Sequence, residues 1–132
     1  MNRMRKVLIA DDEVKVGQLV KRLIQWDRLG LTCIGLVTDG QTAYEKILSE
    51  SPDIVITDIR MPVLTGLEMI QKASEQGVKC HFIVVSGYKY FDYAQKALKY
   101  GVEDYLLKPI DEDELNRQLQ KLSLIHISEP TR

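Results

Sequence analysis

An α/β fold built on a five-stranded parallel sheet is the architecture this sequence predicts, and three observations predict it. Five short apolar, β-branched runs alternate with stretches of helical periodicity, the first run at Arg5–Ala10 and the last at Val102–Leu107. The connections between them are short, which calls for crossovers of one hand and helices on both faces of the sheet. Polar groups stand at the exits of four of the runs, where a parallel sheet presents its chemistry.

Arg5–Ala10 (RKVLIA) reads as the first strand, and Asp11-Asp12-Glu13 ends it with acidic groups that suit a helix start. Val16, Leu19, Val20, Leu23 and Ile24 recur at helical spacing, and Trp26 to Gly30 closes that helix. Leu31–Val37 forms the second strand and Thr38-Asp39-Gly40 the next turn. A second helix follows over Gln41–Ser49, with Ala43, Tyr44, Ile47 and Leu48 facing inward.

Pro52-Asp53 opens the turn into the third strand, Asp53–Thr57, a buried-looking run that delivers Asp58 to solvent just before Met61-Pro62. Beyond Thr65-Gly66 comes a third helix with Leu67, Met69, Ile70 and Ala73, stopped near Gln76-Gly77. Lys79–Val85 is the fourth strand, and Ser86-Gly87-Tyr88 turns the chain into a fourth helix over about Tyr90–Tyr100. Val102–Leu107 is the fifth strand, ended by Lys108-Pro109, and Asp111–Leu122 the final helix with Leu115, Leu119 and Leu122 facing in. Ser123–Arg132 (SLIHISEPTR), which contains His126, departs from that helix's pattern and reads as a non-native or disordered tail. The expected domain is therefore residues 4–122.

The chain has 132 residues, 45% of them apolar and 28% charged, so one core of ordinary size is expected. With 18 basic against 19 acidic residues the net charge is -1, which is no footprint for nucleic acid. The apolar run Val7–Ala10 is too short for a signal-peptide core or a membrane span, so a cytoplasmic protein without membrane partners is expected. Cys33 and Cys80, widely spaced and each in or beside a strand, read as free thiols.

Four strand exits then carry Asp11 and Asp12, Asp58, Ser86 and Lys108. If the strand order is 2-1-3-4-5, the loops after the first and third strands diverge and open a crevice that holds all three carboxylates. Singly, each of these residues has an ordinary role as a cap or turn. Together they form a complementary set of acid, hydroxyl and amine. Three crowded carboxylates repel one another and call for a hard cation such as Mg²⁺ or Mn²⁺, which binds through one or two carboxylates together with phosphate oxygens. With Lys108 and Ser86 to meet the equatorial oxygens, Asp58 is placed to attack a phosphoryl donor and become an aspartyl phosphate.

On these residues the chain resembles the response-regulator receiver domains of two-component signalling. The stretches that carry the resemblance are LIADDE at 8–13, PDIVITDIRMP at 52–62 with TGLEMI at 65–70, IVVSGY at 83–88 and GVEDYLLKPI at 101–110. The resemblance implies a flavodoxin-like (βα)5 sandwich of order 2-1-3-4-5 and a signalling switch rather than an enzyme, with Mg²⁺-dependent phosphotransfer and autodephosphorylation of its own. It implies that Asp58 takes a phosphoryl group from a sensor histidine kinase, and that Asp11, Asp12, Asp58 and the backbone carbonyl of Arg60 hold the metal. It casts Lys108 and Ser86 as catalytic partners, and Ser86 with Tyr105 as the switch pair.

Phosphorylation adds roughly -1.5 to -2 charges and three acceptor oxygens. That is expected to draw Ser86 in, turn Tyr105 inward and remodel the face of the fourth helix, fifth strand and fifth helix, where a homodimer would form. Tyr88, Tyr90, Phe91, Tyr93 and Tyr100 crowd that region, as in a partner-binding face. Arg60 and Tyr88, each two residues past a site residue, are expected to tune the lifetime of the phosphorylated state.

SGYKYFDYAQKALKYG at 86–101 and the W-x-x-L-G-L stretch at 26–31 look like receivers that precede an AraC-type DNA-binding domain. Nothing beyond Leu122 would make one, so a truncated receiver is expected, with DNA reached only through a missing output domain. A stand-alone receiver is the other option. A flavodoxin-like nucleotide or flavin binder is disfavoured by the acidic loop after the first strand, which lacks a phosphate cradle. A phosphatase would need a general acid two positions after Asp58, where Arg60 stands.

Overall fold

The computed structural model describes residues 4–87 and 102–128. Its elements in chain order are β1 (Arg5–Ala10), α1 (Val14–Leu23), α2 (Trp26–Leu29), β2 (Leu31–Val37), α3 (Gly40–Glu50) and β3 (Ile54–Thr57). They continue with α4 (Gly66–Glu75), β4 (His81–Ser86), β5 (Val102–Leu107) and α5 (Glu112–Ser128). The expected helix over about Tyr90–Tyr100, and Tyr88 with it, lie outside the described residues.

The strands form one parallel sheet in the order β2-β1-β3-β4-β5. Alternation along β1 and β3 sends side chains into two separate apolar layers. Leu8, Ala10 and Val55 pack with Ala43 and Ile47 of α3 and Met69, Ile70 and Ala73 of α4. Val7, Ile9, Ile54 and Ile56 pack on the opposite face with Val20, Ile24, Leu115, Leu119 and Leu122. The two central strands are thus apolar on both sides, which is why their sequences read as unbroken runs and not as alternations.

Several boundaries differ from the sequence reading, each for a local reason. The first helix breaks in two: Ile24 is extended, and buried Asn116 of α5 takes the Gln25 N–H on Oδ1 (2.8 Å) while its Nδ2 donates to the Leu23 carbonyl (2.9 Å). Gly30, at φ 67°, ends the second piece as a left-handed cap. β3 starts one residue late because the Asp53 carboxylate accepts the Lys6 N–H at 2.7 Å, a side chain in place of a ladder bond. β4 starts at His81, whose N–H pairs with the Asp53 carbonyl.

Leu48, read as inward-facing, is 46% exposed, and Leu19, on the helical spacing of the first helix, is 40% exposed, so the apolar stripes of α1 and α3 are narrower than their periodicity suggested. The last helix does not stop at Leu122 but runs to Ser128, with Ser123 buried. Cys33 and Cys80 are free and half-buried, and burial, helped by the charge of Asp53, pushes the Cys80 thiol up to about 12.

Candidate functional site

Three backbone bonds that prolong the ladders past the strand ends set the site. Asp58 N–H reaches the Ala10 carbonyl at 2.9 Å, Asp11 N–H the Val37 carbonyl at 3.0 Å, and Lys108 N–H the Ser86 carbonyl at 2.9 Å. Strand order therefore puts Asp11 beside Asp58, and Ser86 beside Lys108, at the carboxyl edge of the sheet.

Lys108 ties the rim together. Its Nζ lies 3.1 Å from Asp58 Oδ2 and 3.3 Å from Asp11 Oδ2, with both carboxylates buried. The second oxygen of each acid is held by backbone: Asp58 Oδ1 accepts the Ile59 N–H at 2.7 Å, and Asp11 Oδ1 the Glu13 N–H at 2.9 Å. The acids are oriented before any ligand arrives.

Burial is the largest influence on Asp11 and raises its pKa to about 6; the Glu13 N–H opposes this, the Asp58 charge adds to it, and Lys108 opposes it. Burial alone would lower the Lys108 ammonium, but the facing charges of Asp58 and Asp11 overcome it and hold the group above its ordinary value.

Asp12, Asp58, Arg60, Ser86 and Lys108 line one open crevice of about 340 Å³, together with Glu13 and Gly87. Asp11 is not among its lining residues. The hydroxyl of Ser86 is 1% exposed and has no hydrogen-bond partner among the described residues. Tyr105, half-buried, donates its hydroxyl to the Gly87 carbonyl at 2.9 Å, next door to Ser86. Burial first, and the Asp58 charge second, raise the Tyr105 pKa.

Carboxylate oxygens of Asp11, Asp12 and Glu13 gather within 4.8 Å of one another. This is an all-oxygen donor set around an acid whose ionisation burial disfavours, the chemistry of a hard divalent cation. Glu13 had not been expected in that cluster; its only sequence signal was adjacency to the acidic pair. The sequence reading also passed over Thr57, a buried hydroxyl on the strand that carries Asp58, and Gly87, the anchor of Tyr105. Arg60 is exposed on the crevice wall, and Tyr88 lies outside the described residues.

A family model described as the response regulator receiver domain matches residues 7–120. Transcriptional regulatory protein YesN of Bacillus subtilis is 44% identical over 119 residues, which are 90% of this chain and 32% of that protein. Transcriptional regulatory protein HptR of Staphylococcus aureus is 35% identical over 119 residues, 90% of this chain and 46% of that protein. The chain thus spans about a third to a half of the length of these curated relatives. Among solved structures, the REC domain of AraT, a response regulator from Geobacillus stearothermophilus, superimposes with a TM-score of 0.90 at 36% identity, covering 96% of this chain and 98% of that one. A two component transcriptional regulator AraC from Clostridium phytofermentans follows at 0.79 and 29%, covering 95% and 99%.

Proposed function

The chain belongs to the response regulator receiver domain family of signalling proteins, and from that premise we propose that it is a phosphorylation-dependent switch whose acceptor is Asp58. A carboxylate oxygen of Asp58 attacks the phosphorus of a sensor kinase's phosphohistidine. The new P–O bond forms as the P–N bond breaks, and the electron pair leaves with the imidazole nitrogen.

The observation that supports this most is Lys108, which bridges buried Asp11 and Asp58 at the crevice that Asp58 and Ser86 line, the Ser86 hydroxyl having no partner among the described residues. Lys108 meets the charge on the transferred group, and Ser86 donates to one of its oxygens. Asp11, Asp12 and Asp58, with the Arg60 carbonyl, would hold Mg²⁺ or Mn²⁺, and Glu13 stands close enough to Asp11 and Asp12 to assist. When bound, the cation supplies neutralisation of phosphoryl charge.

Movement of Ser86 toward the phosphoryl group then loosens its neighbour Gly87 as an anchor and frees Tyr105 to turn. That movement would remodel the face that includes β5 and α5. The receiver is taken as residues 4–122, its last helix continuing to Ser128. The output is an AraC-type DNA-binding domain of a longer regulator, and the names of YesN and of the Clostridium phytofermentans regulator agree with a transcriptional role. Cytoplasmic residence is part of this reading, on the ground of the signalling family. Dimerisation through the remodelled face, and tuning of phosphate lifetime by Arg60 and Tyr88, complete the reading.

Intact mass after treatment with Mg²⁺ and a small acyl phosphate tests the acceptor. One phosphoryl group should appear on the native chain and none on Asp58→Asn. Rapid multiple turnover without accumulation would instead indicate a phosphatase, and equal labelling of the variant would remove Asp58 from its role.

A further inference from the structure

Asp58 stands one residue beyond the last paired position of β3, since Thr57 is the final partner of both Ala10 and Val84. Its N–H still reaches the neighbouring strand, but its carbonyl has left the ladder and instead accepts the Thr57 hydroxyl at 2.8 Å. Thr57 is 1% exposed, so this bond is shielded from water.

The Asp58 carbonyl and the Ile59 N–H belong to one planar peptide group, so fixing the oxygen fixes the direction of the N–H. That N–H is the donor to Asp58 Oδ1, at 2.7 Å. A hydroxyl on one edge of the peptide thereby sets the rotation of the carboxylate on the other, leaving Oδ2 toward Lys108. Gly66 also crowds this peptide: a Cβ there would lie 2.0 Å from the same Asp58 oxygen, and the Gly66 N–H donates to the Ile59 carbonyl at 2.7 Å. Thr57 and Gly66 both meet the Asp58 oxygen of that plane.

We infer that Thr57 is a positioning residue for phosphoryl acceptance, its hydroxyl orienting the Asp58 carboxylate through the shared peptide. The inference rests on the reading of Asp58 as acceptor. β-Branching alone suits a strand residue and would be met as well by valine; the hydroxyl is what valine lacks.

Thr57→Val, Thr57→Ser and the remote core variant Leu119→Ala separate this role from general stability. In metal-free protein, the Ile59 amide proton resonance should move upfield and its hydrogen exchange quicken in Thr57→Val, with Thr57→Ser close to wild type. With Mg²⁺ and acyl phosphate saturating, the labelling rate of Thr57→Val should fall about tenfold, the scale of a small misplacement of a reacting group. Thr57→Ser should stay within about twofold of wild type, and Leu119→Ala, though less stable, should label normally. Thr57→Ala serves as the second hydroxyl-free variant should valine not fold.

An unmoved Ile59 amide, a wild-type rate in the hydroxyl-free variants, a Thr57→Ser variant as slow as valine, or an equal slowing in Leu119→Ala would each overturn the inference. A wild-type chain that takes no phosphoryl group would overturn the acceptor reading, and the metal-free amide signal would still judge whether Thr57 orients the carboxylate.

Discussion

Among the described residues the buried Ser86 hydroxyl has no partner, and a desolvated donor that has given up water and received nothing costs the resting fold. Ser86→Ala should therefore raise the unfolding free energy of the unphosphorylated protein by about 1 kcal/mol. Denaturant titration checks this, and a clear loss of stability would mean that the hydroxyl has a partner at rest. Lys108 poses the reverse case. Its ammonium occupies the space between two acids and competes there with any divalent cation. Lys108→Met should tighten Mg²⁺ binding several-fold in isothermal titration at neutral pH, while lowering stability in EDTA because two buried carboxylates then face each other unpaired. Weaker Mg²⁺ binding in that variant would show that Lys108 organises the cation site and does not compete for it. The acids, the hydroxyl and the amine were legible in the sequence because each stands at the end of an apolar run. Thr57 was not, since a threonine inside a strand carries no periodic signal and its role depends on a peptide that turns out of the ladder.

At the scale of elements, Asn116 is the device that sequence patterning could not reveal. It is a polar residue on the inner face of α5, 3% exposed, and its amide is satisfied by Gln25 N–H, the Leu23 carbonyl and the Glu112 carbonyl in its own helix. The partners lie 91 and 93 residues away, so no local pattern encodes them. The same contact explains why a stretch with continuous helical spacing from Val16 to Ile24 gives way to the short α2: the helix ends where α5 supplies bonds that its next turn would have made. Asn116→Ala removes the partner of the Gln25 N–H and of the Leu23 carbonyl, both bonds part-buried, and should cost about 1–2 kcal/mol. The Gln25 amide should lose exchange protection ahead of the amides of α1. A cost below about 0.5 kcal/mol would mean that water replaces the clasp freely. Gly30, read as a C-terminal signal, is a left-handed cap, and Thr65 with Glu68, a pairing the sequence reading did not draw, forms a reciprocal capping box at the start of α4.

For the whole molecule, the expected order 2-1-3-4-5 sets the first and third strands side by side and so brings Asp11 and Asp58 together, and the structure has that order. The consequence is a fold that gathers like charges at one rim and bears the cost until a cation or proton arrives. Asp11 shows the sign of that cost. Its pKa is about 6 in the folded protein against an ordinary 3.8, so as pH rises the unfolded chain releases this proton first. The contribution to stability is fully present below the ordinary value and is lost as pH rises through the folded one. Asp11→Asn mimics the protonated acid and removes the loss. In EDTA, the melting temperature of the variant minus that of wild type should be near zero at about pH 4 and positive at about pH 7. Mg²⁺ should act in the opposite sense on wild type, because it binds the ionised acid: its stabilising increment should grow from about pH 5 to about pH 7 and be much reduced in Asp11→Asn. A variant less stable than wild type at neutral pH in EDTA would mean that the Lys108 contact outweighs the burial of the charge.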